Sequence, residues 1–358
     1  MFTEKYKEAL VAYEKFWNRE NKERPILNLS YTKSEQFKRY RRPVSLEEMY
    51  FDSSYVYNAY KHNISNMGYI AEGVPRFFPN FGPGCLASAI GGDFKLAKDT
   101  VWHDKKQLVT DWESPPQIAF DEQSTLWKKV KEIQQIGISD PDLNVTITDL
   151  GGILDILASL RGTENLLYDL YDYPDEVKLF IKKIEQEWFK AFDQQVNTIR
   201  ASAQPYNNWM NIPSSKPWYP IQCDFSYMIA PNHFEEFVLP HLIDQVEYMD
   251  RSIYHLDGEG EIPHVDMLLD IPKLTGIQWT AGDGNLPESD EKWFDLYKKI
   301  QDKKKNLVLF VPGNTDKDIK CLERLVKTLD PTGLYINTRL SSEQKAEDLF
   351  ENILRWSE

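Results

Sequence analysis

Hydrophobic positions along the chain fall into two rhythms, and the second half alternates between them. Short apolar runs at 252–256 (SIYHL), 276–280 (GIQWT), 307–311 (LVLFV) and 333–337 (GLYIN) have the length and the β-branched and aromatic content of buried strands. Each is followed by a helical pattern, at 264–270, 288–301, 316–329 and 341–355. Repeated strand-then-helix units predict a parallel sheet with helices packed outside it. Earlier, Asn144 to Thr148 reads as a strand, Gly151-Gly152 as a turn, Ile153 to Leu160 as a helix, and Pro174 to about Arg200 as a long helix opened by its proline.

The first half is less regular. Residues 3–19 place Tyr6, Leu10, Tyr13 and Phe16 at helical spacing, which predicts an N-terminal helix within 1–20. Pro25 to Ser30 reads as a first strand, and Leu46 to Met67 as a helix. Residues 75–80 (PRFFPN) read as extended, followed by the turn 81–84 and a short helix near Cys85 to Ile90. Residues 91–121 carry Trp102, Trp112 and Pro115-Pro116 without a period, as expected of an excursion held on the body by its aromatics. A helix is predicted at 122–136, a Pro/Trp-rich loop at 205–223, too long for a simple connection, and a helix at 231–249. With about four strands before the regular half, the total comes near eight. The predicted architecture is α/β: one (β/α)8 TIM barrel domain over 1–358, with an N-terminal helical extension. No Gly-x-Gly-x-x-Gly follows the first strand, which argues against a dinucleotide-binding fold.

Composition narrows the function classes. The net charge is −14 over 358 residues, which disfavours nucleic acid and anionic membranes as partners. No apolar run approaches the ~20 residues of a membrane span, and Met1 to Glu20 is charged rather than signal-like. Three scattered cysteines, Cys85, Cys223 and Cys321, fit a reducing cytoplasm. The 10 Trp, 19 Tyr and 18 Phe serve a large core, an aromatic-lined pocket, or both. Oligomeric state is left open, a homodimer included.

The chemistry concentrates where strands should end. The run 252–256 closes on His255-Leu256-Asp257-Gly258, so His255 and Asp257 share a strand face and set an imidazole beside a carboxylate. That is a metal pair, an acid/base pair, or a hydrogen bond fixing the loop. Glu259 and His264 stand close enough in sequence to complete a metal shell, although a loop residue and a helix cap are the plainer readings. Asp224 follows Cys223 after an apolar approach and is expected either at the barrel mouth or as a turn residue. Cys223 itself reads as a small buried hydrophobe. Asp155 and Arg161 sit at the two ends of a helix, and the amides around Gly151-Gly152 offer an anion site. Asn80, Trp209, Trp279 and Arg339 fall at strand ends or in the long loop. They are candidate substrate contacts together with Asp155. Trp279 walls the site if its face points inward and packs on outer helices if it does not.

Several segments together resemble the uroporphyrinogen decarboxylase superfamily: 148–162 (TDLGGILDILASLRG), 169–178 (DLYDYPDEVK), the turn 80–84 (NFGPG) and 254–258 (YHLDG). The likeness covers most of residues 70–358. It implies a (β/α)8 fold and either porphyrin decarboxylation or cobalamin-linked methyl transfer. The decarboxylase groups are not matched. The region Arg24 to Ser30 lacks the Arg-rich motif, although Lys38, Arg39, Arg41 and Arg42 follow. Pro83 and Gly84 stand where an aspartate is expected, Ser159 near a tyrosine's place, and Asn337 to Arg339 near a histidine's. The methyltransferase branch binds zinc through His-x-Cys and a late Cys, matched here by His255-Leu256-Asp257 and Thr338-Arg339. The resemblance therefore implies a divergent methyltransferase-like enzyme. Zinc would sit on His255 and Asp257, a corrinoid would be carried by a partner protein, and the substrate would be a small molecule. Asp224 would join His255 and Asp257 in catalysis. Two other readings stand beside it: a cofactor-independent decarboxylase of a polycarboxylate, and a non-catalytic corrinoid-associated protein.

Overall fold

The computed structural model describes residues 4–34, 37–104 and 106–358. Met1 to Thr3 of the expected N-terminal helix, and Lys105 of the expected excursion, lie outside them. The helix itself runs Glu4–Trp17 and buries Tyr6, Ala9, Tyr13, Phe16 and Trp17 along one face.

The main sheet has seven strands: β1 (Ile26–Thr32), β2 (Met67–Ala71), β5 (Trp218–Gln222), β6 (Arg251–Asp257), β7 (Gly276–Thr280), β8 (Asn306–Phe310) and β9 (Leu334–Leu340). The two-residue β3 (Lys95–Leu96) and β4 (Val101–Trp102) pair only with each other, inside the 91–121 excursion. The order is β2-β1-β9-β8-β7-β6-β5, parallel throughout except for the antiparallel pair β1/β2. The four regular units of the second half are all present within a residue or two at most strand and helix ends. The helix Asp316–Thr328 is locked by a capping box between Thr315 and Asp318, and Glu343–Trp356 by Ser342.

Two strands and one helix were not legible in the sequence. The expected helix 46–67 is two helices, Leu46–Phe51 and Ser53–Ser65, because Asp52 turns from the end of one to cap the next. Its last residues start β2. The loop expected at 205–223 ends in β5, whose Pro220 is tolerated because β5 pairs only with β6. A helix also occupies Thr163–Asp172.

The expected eight-stranded ring is not closed by strand ladders among the described residues. Beyond the ladders run extended segments at 75–79 and 144–148, joined by the single bridge Phe77↔Val145. The strand expected at 144–148 is therefore only a bridge. Pro75, Pro79 and Pro205 carry no amide hydrogen, and side-chain amides take over the pairing. Asn207 Nδ2 donates to Asn144 Oδ1 at 2.8 Å, and Asn144 Nδ2 to the Pro205 carbonyl at 3.0 Å. Gln134 reaches the Thr146 carbonyl, while Gln204 and Gln195 accept from the Val145 and Thr148 amides. Asn211 closes the row on the Val74 carbonyl.

The long helix Pro174–Ser202 buries Phe180, Ile184, Trp188, Phe192 and Val196 along one side, with Trp188 and Phe192 against Tyr219 of β5 and Phe180 against Trp112. Trp188 Nε1 donates to the Gly151 carbonyl at 3.0 Å, which pins the turn beside the strand ends. No helix among the described residues is long and apolar enough to cross a membrane.

Candidate active site

The parallel strands β5 to β9 all deliver their C-terminal ends to one edge of the sheet. Along β6, Tyr254 and Leu256 are fully buried on one face, and His255 and Asp257 emerge half-buried on the other. Register carries this face across the sheet, with His255 opposite both Gln222 and Gln278, and Asp257 opposite Thr280. Asp224 arrives from the turn that follows β5. Its backbone N–H, and that of Phe225, donate to the two oxygens of Asp155 at 3.1 and 2.8 Å. Gly152, just before the helix carrying Asp155, has no room for a Cβ, which would strike the Gln222 carbonyl and the Asp155 carboxylate.

One ligand atom each from Asp224, His255 and Asp257 lies within 4.8 Å of the other two. Asp224 Oδ1 has no hydrogen-bond partner among the described residues. His255 Nδ1 makes a short contact with Gln278 Oε1. Gln278 is turned that way because its Nε2 donates to Thr280 Oγ1 at 2.8 Å. A carbonyl oxygen at Nδ1 makes that nitrogen the N–H, so Nε2 keeps its lone pair for a metal or a proton. The Trp209 ring stands edge-on to the imidazole, 5.1 Å between centroids.

The surroundings are acidic. Burial, then Asp257 and Asp149, pushes the Asp224 carboxyl up to about 7. Burial, then Asp224, pushes Asp155 to about 7 as well. Burial also raises Asp149, against hydrogen bonds from Tyr219 and the Gly151 amide. Glu261 is 0 % exposed, and burial followed by Asp224 drives it well above the usual carboxylate range. None of these acids, nor Asp257, forms an ion pair with a Lys or Arg among the described residues. The group able to hold positive charge that acts on both Asp149 and Asp155 is His255. Such a carboxylate cluster suits a divalent cation, and its donor set of one imidazole and two carboxylates lies within the range of zinc sites. A cavity of about 500 Å³ opens beside Asp224, between the 91–121 excursion, at Trp102, and the turn that carries Met228.

The structure thus brings together His255, Asp257, Asp224 and Trp209. The other expected residues lie elsewhere. Asp155 lines the cavity, but both its oxygens are taken by backbone amides, so it positions Asp224 rather than holding substrate. Asn80 Oδ1 accepts from the Gly82 amide and shapes the turn 81–84. Trp279 is 0 % exposed on the outward face of β7 and packs on Trp293, 4.9 Å between centroids. It belongs to the outer packing, and its inward neighbour Gln278 is the one at the site. Arg339 stands at the far side of the sheet edge, exposed. Glu259 pairs with Lys292, and His264 is buried, stacked on Phe234 and donating from Nε2 to the Ser226 carbonyl, so neither joins the cluster. Cys223 is buried and its thiol is pushed up by burial. Arg161 is held by Asp169 and the Thr110 carbonyl. The Gly151 amide, expected to hold an anion, donates to Asp149 and Tyr219 instead.

Sequence reading missed Gln278, Asp149 and Tyr219. Gln278 was recoverable from strand alternation once the face of Trp279 was known. A second acid-and-histidine group, Glu185, His241 and Asp244, lies on outer helices, where the Lys182 ammonium already bridges Glu185 and Asp244.

The sequence matches no family model and no curated protein. Among solved structures, the chain is similar to a methyltransferase from Methanosarcina mazei, with a TM-score of 0.60 at 11 % identity. The match covers 96 % of this chain and 99 % of that one. At that identity the likeness is one of fold: a mixed α/β architecture, end to end, shared with a methyltransferase.

Proposed function

We propose that the chain is a methyltransferase-like enzyme of the uroporphyrinogen decarboxylase superfamily, a (β/α)8-type fold with a divalent metal on Asp224, His255 and Asp257. The observation that carries the reading is the convergence of those three donors in an acidic cluster without a Lys or Arg partner. The whole-length fold likeness to a methyltransferase and the motif order at 148–162 and 254–258 support it. Zinc is the metal we favour, held by oxygen and nitrogen because all three cysteines are buried.

A bound divalent ion would supply Lewis acidity, lowering the pKa of an acceptor thiol or hydroxyl so that it can take a methyl group. The chain's own residues do the rest. His255 offers Nε2, oriented by Gln278. Asp224, whose carboxyl burial pushes up to about 7, would give up its proton to hold a cation. Asp155 holds the Asp224 turn in place, and Trp209 excludes water from one side of the imidazole. The methyl donor is a small methylated compound or a methyl-corrinoid on a partner protein. A polycarboxylate substrate for decarboxylation fits this end of the sheet poorly, because the cluster would repel it.

Elemental analysis of the purified protein, beside His255→Ala and Asp224→Asn variants, tests the proposal. About one metal per chain, lost in both variants, is the expected result. Metal-free protein that gains no metal on equilibration with zinc would sink it.

A further inference from the structure

The opposite side of the same sheet edge carries the reverse charge. Ser30 of β1 is in register with Tyr69 of β2 on one side and with Arg339 of β9 on the other, so Tyr69 and Arg339 share a face. Two residues back on β9, Asn337 is opposite Phe310, whose ring lies 6.4 Å from Trp209, the residue set against His255. That face is therefore the one that bears the acidic site. Arg76 reaches it from the extended segment 75–79. Phe77 turns its ring to Tyr60 and the outer helices, which leaves Arg76 on the other side of the strand.

Arg76 is half-buried, and no carboxylate meets it. Among the described residues its guanidinium has no hydrogen bond and no ion pair, only the Phe78 ring at 5.8 Å. Burial holds its pKa below the usual arginine value, and the side chains acting on it are the phenols of Tyr60, Tyr335 and Tyr69. Among the described residues the Arg339 guanidinium likewise has no carboxylate partner and touches Met67 Sδ at 3.6 Å. Both guanidiniums act on the same phenol, opposing the burial that lifts Tyr69 to about 12. In a chain with 56 acids against 42 bases, leaving the half-buried Arg76 without a carboxylate is a costly arrangement unless a ligand completes it, and Arg339 brings a second guanidinium to the same face.

We infer that Arg76 and Arg339 form an oxyanion subsite, so that the substrate is a small molecule carrying a carboxylate or a phosphate at the end away from the reacting group. This rests on the active-site reading for its second half, in which the anion on Arg76 directs the rest of the molecule across Trp209 toward His255. Two guanidiniums serve a single oxyanion group, which sets a monoanionic or terminal-phosphate substrate apart from a polycarboxylate.

The test is calorimetric titration of the full, metal-stripped and chelator-free chain with inorganic phosphate and, separately, with acetate, at matched ionic strength. One saturable site is expected, with the tighter probe naming the anion. Arg76→Gln should weaken it at least tenfold and Arg339→Gln less, because Arg339 is exposed, while Arg76→Lys retains part of the binding. Without anion, Arg76→Gln should unfold at or above the wild-type midpoint, because it removes an unpaired charge. Absence of saturable binding by either probe, an unchanged affinity in Arg76→Gln, or a lowered midpoint in that variant would overturn the inference. Because the protein is stripped, these outcomes do not depend on whether the Asp224 cluster takes a metal.

Discussion

Replacing Asp224 by Asn in the metal-free protein should make it more stable, not less. The carboxyl sits near 7 rather than at the ordinary aspartate value of 3.8. At ~1.4 kcal/mol per unit, that sets a ceiling of ~4 kcal/mol on what ionising Asp224 costs the fold. Asp224 is only half-buried and is coupled to Asp257 and Asp149, so solvent screening reduces the expected effect to about 1–2 kcal/mol. The sign follows from linkage. Below pH 4 the group is protonated in both states and contributes nothing. Between pH 4 and 7 the unfolded chain loses the proton while the folded one keeps it, so wild-type stability falls as pH rises and levels off above 7. Asn carries no proton to lose, and its advantage should therefore open across that window and stay constant at pH 8. Urea unfolding of both proteins at several pH values measures it. Added zinc should then reverse the order by stabilising the wild type alone. Parallel stability–pH curves, or a less stable Asp224→Asn at pH 8, would refute the reasoning.

Other predictions follow from the same geometry. Gln278→Leu removes the acceptor that fixes the His255 tautomer, and should weaken metal binding about 10–100-fold while leaving the metal-free unfolding midpoint within a few degrees, read by competition with a chromophoric chelator. Trp279→Ala should cost about 3–5 kcal/mol in denaturant unfolding, as a cavity beside Trp293, with metal content per folded chain unchanged. If it removes metal at full stability, Trp279 has a role at the site after all. A thiol-reactive dye should label no cysteine in the native protein and three after denaturation. Fast native labelling of one would put a thiolate back among the candidate ligands.

Much of this was readable in the chain. Strands β6 to β9 announce themselves because buried parallel strands are short apolar runs, and His255 and Asp257 stand out as the polar pair that ends one of them. Asp224 was readable only from the apolar approach before it, since its strand β5 was not. Whether a residue one position along faces in or out was not, since a run such as GIQWT is buried on both faces, Gln278 on one and Trp279 on the other. That ambiguity hid Gln278 behind Trp279. β2 follows its helix with no Gly or Pro between, so its pattern merged with the helix. β5 carries a proline and two aromatics and looks like loop. Arg76 in PRFFP reads as an ordinary surface arginine, because a missing partner is a property of three dimensions. Asn80 and Asp155 were read as chemistry, whereas both spend their oxygens on backbone amides, the commonest use of such side chains at turns and helix starts.

The wall at 75–79 and 144–148 has a consequence for how the molecule assembles. A strand ladder forms from two neighbouring backbones alone. This wall instead needs the side chains of Gln134, Gln195, Gln204 and Asn211, and the Asn207 carbonyl that accepts from the Ile147 amide, to arrive from other segments before its backbone groups are satisfied. Contacts of such long sequence separation form late, since the intervening chain must be ordered first. The wall should thus set after the ladders that join β6 to β9 during refolding and admit solvent before them, with the Val145 and Ile147 amides exchanging hydrogen faster than those of β7 and β8. Arg76 lies on this wall and His255 on the ladder across from it, so the gap between them would be the dimension of the molecule most easily stretched.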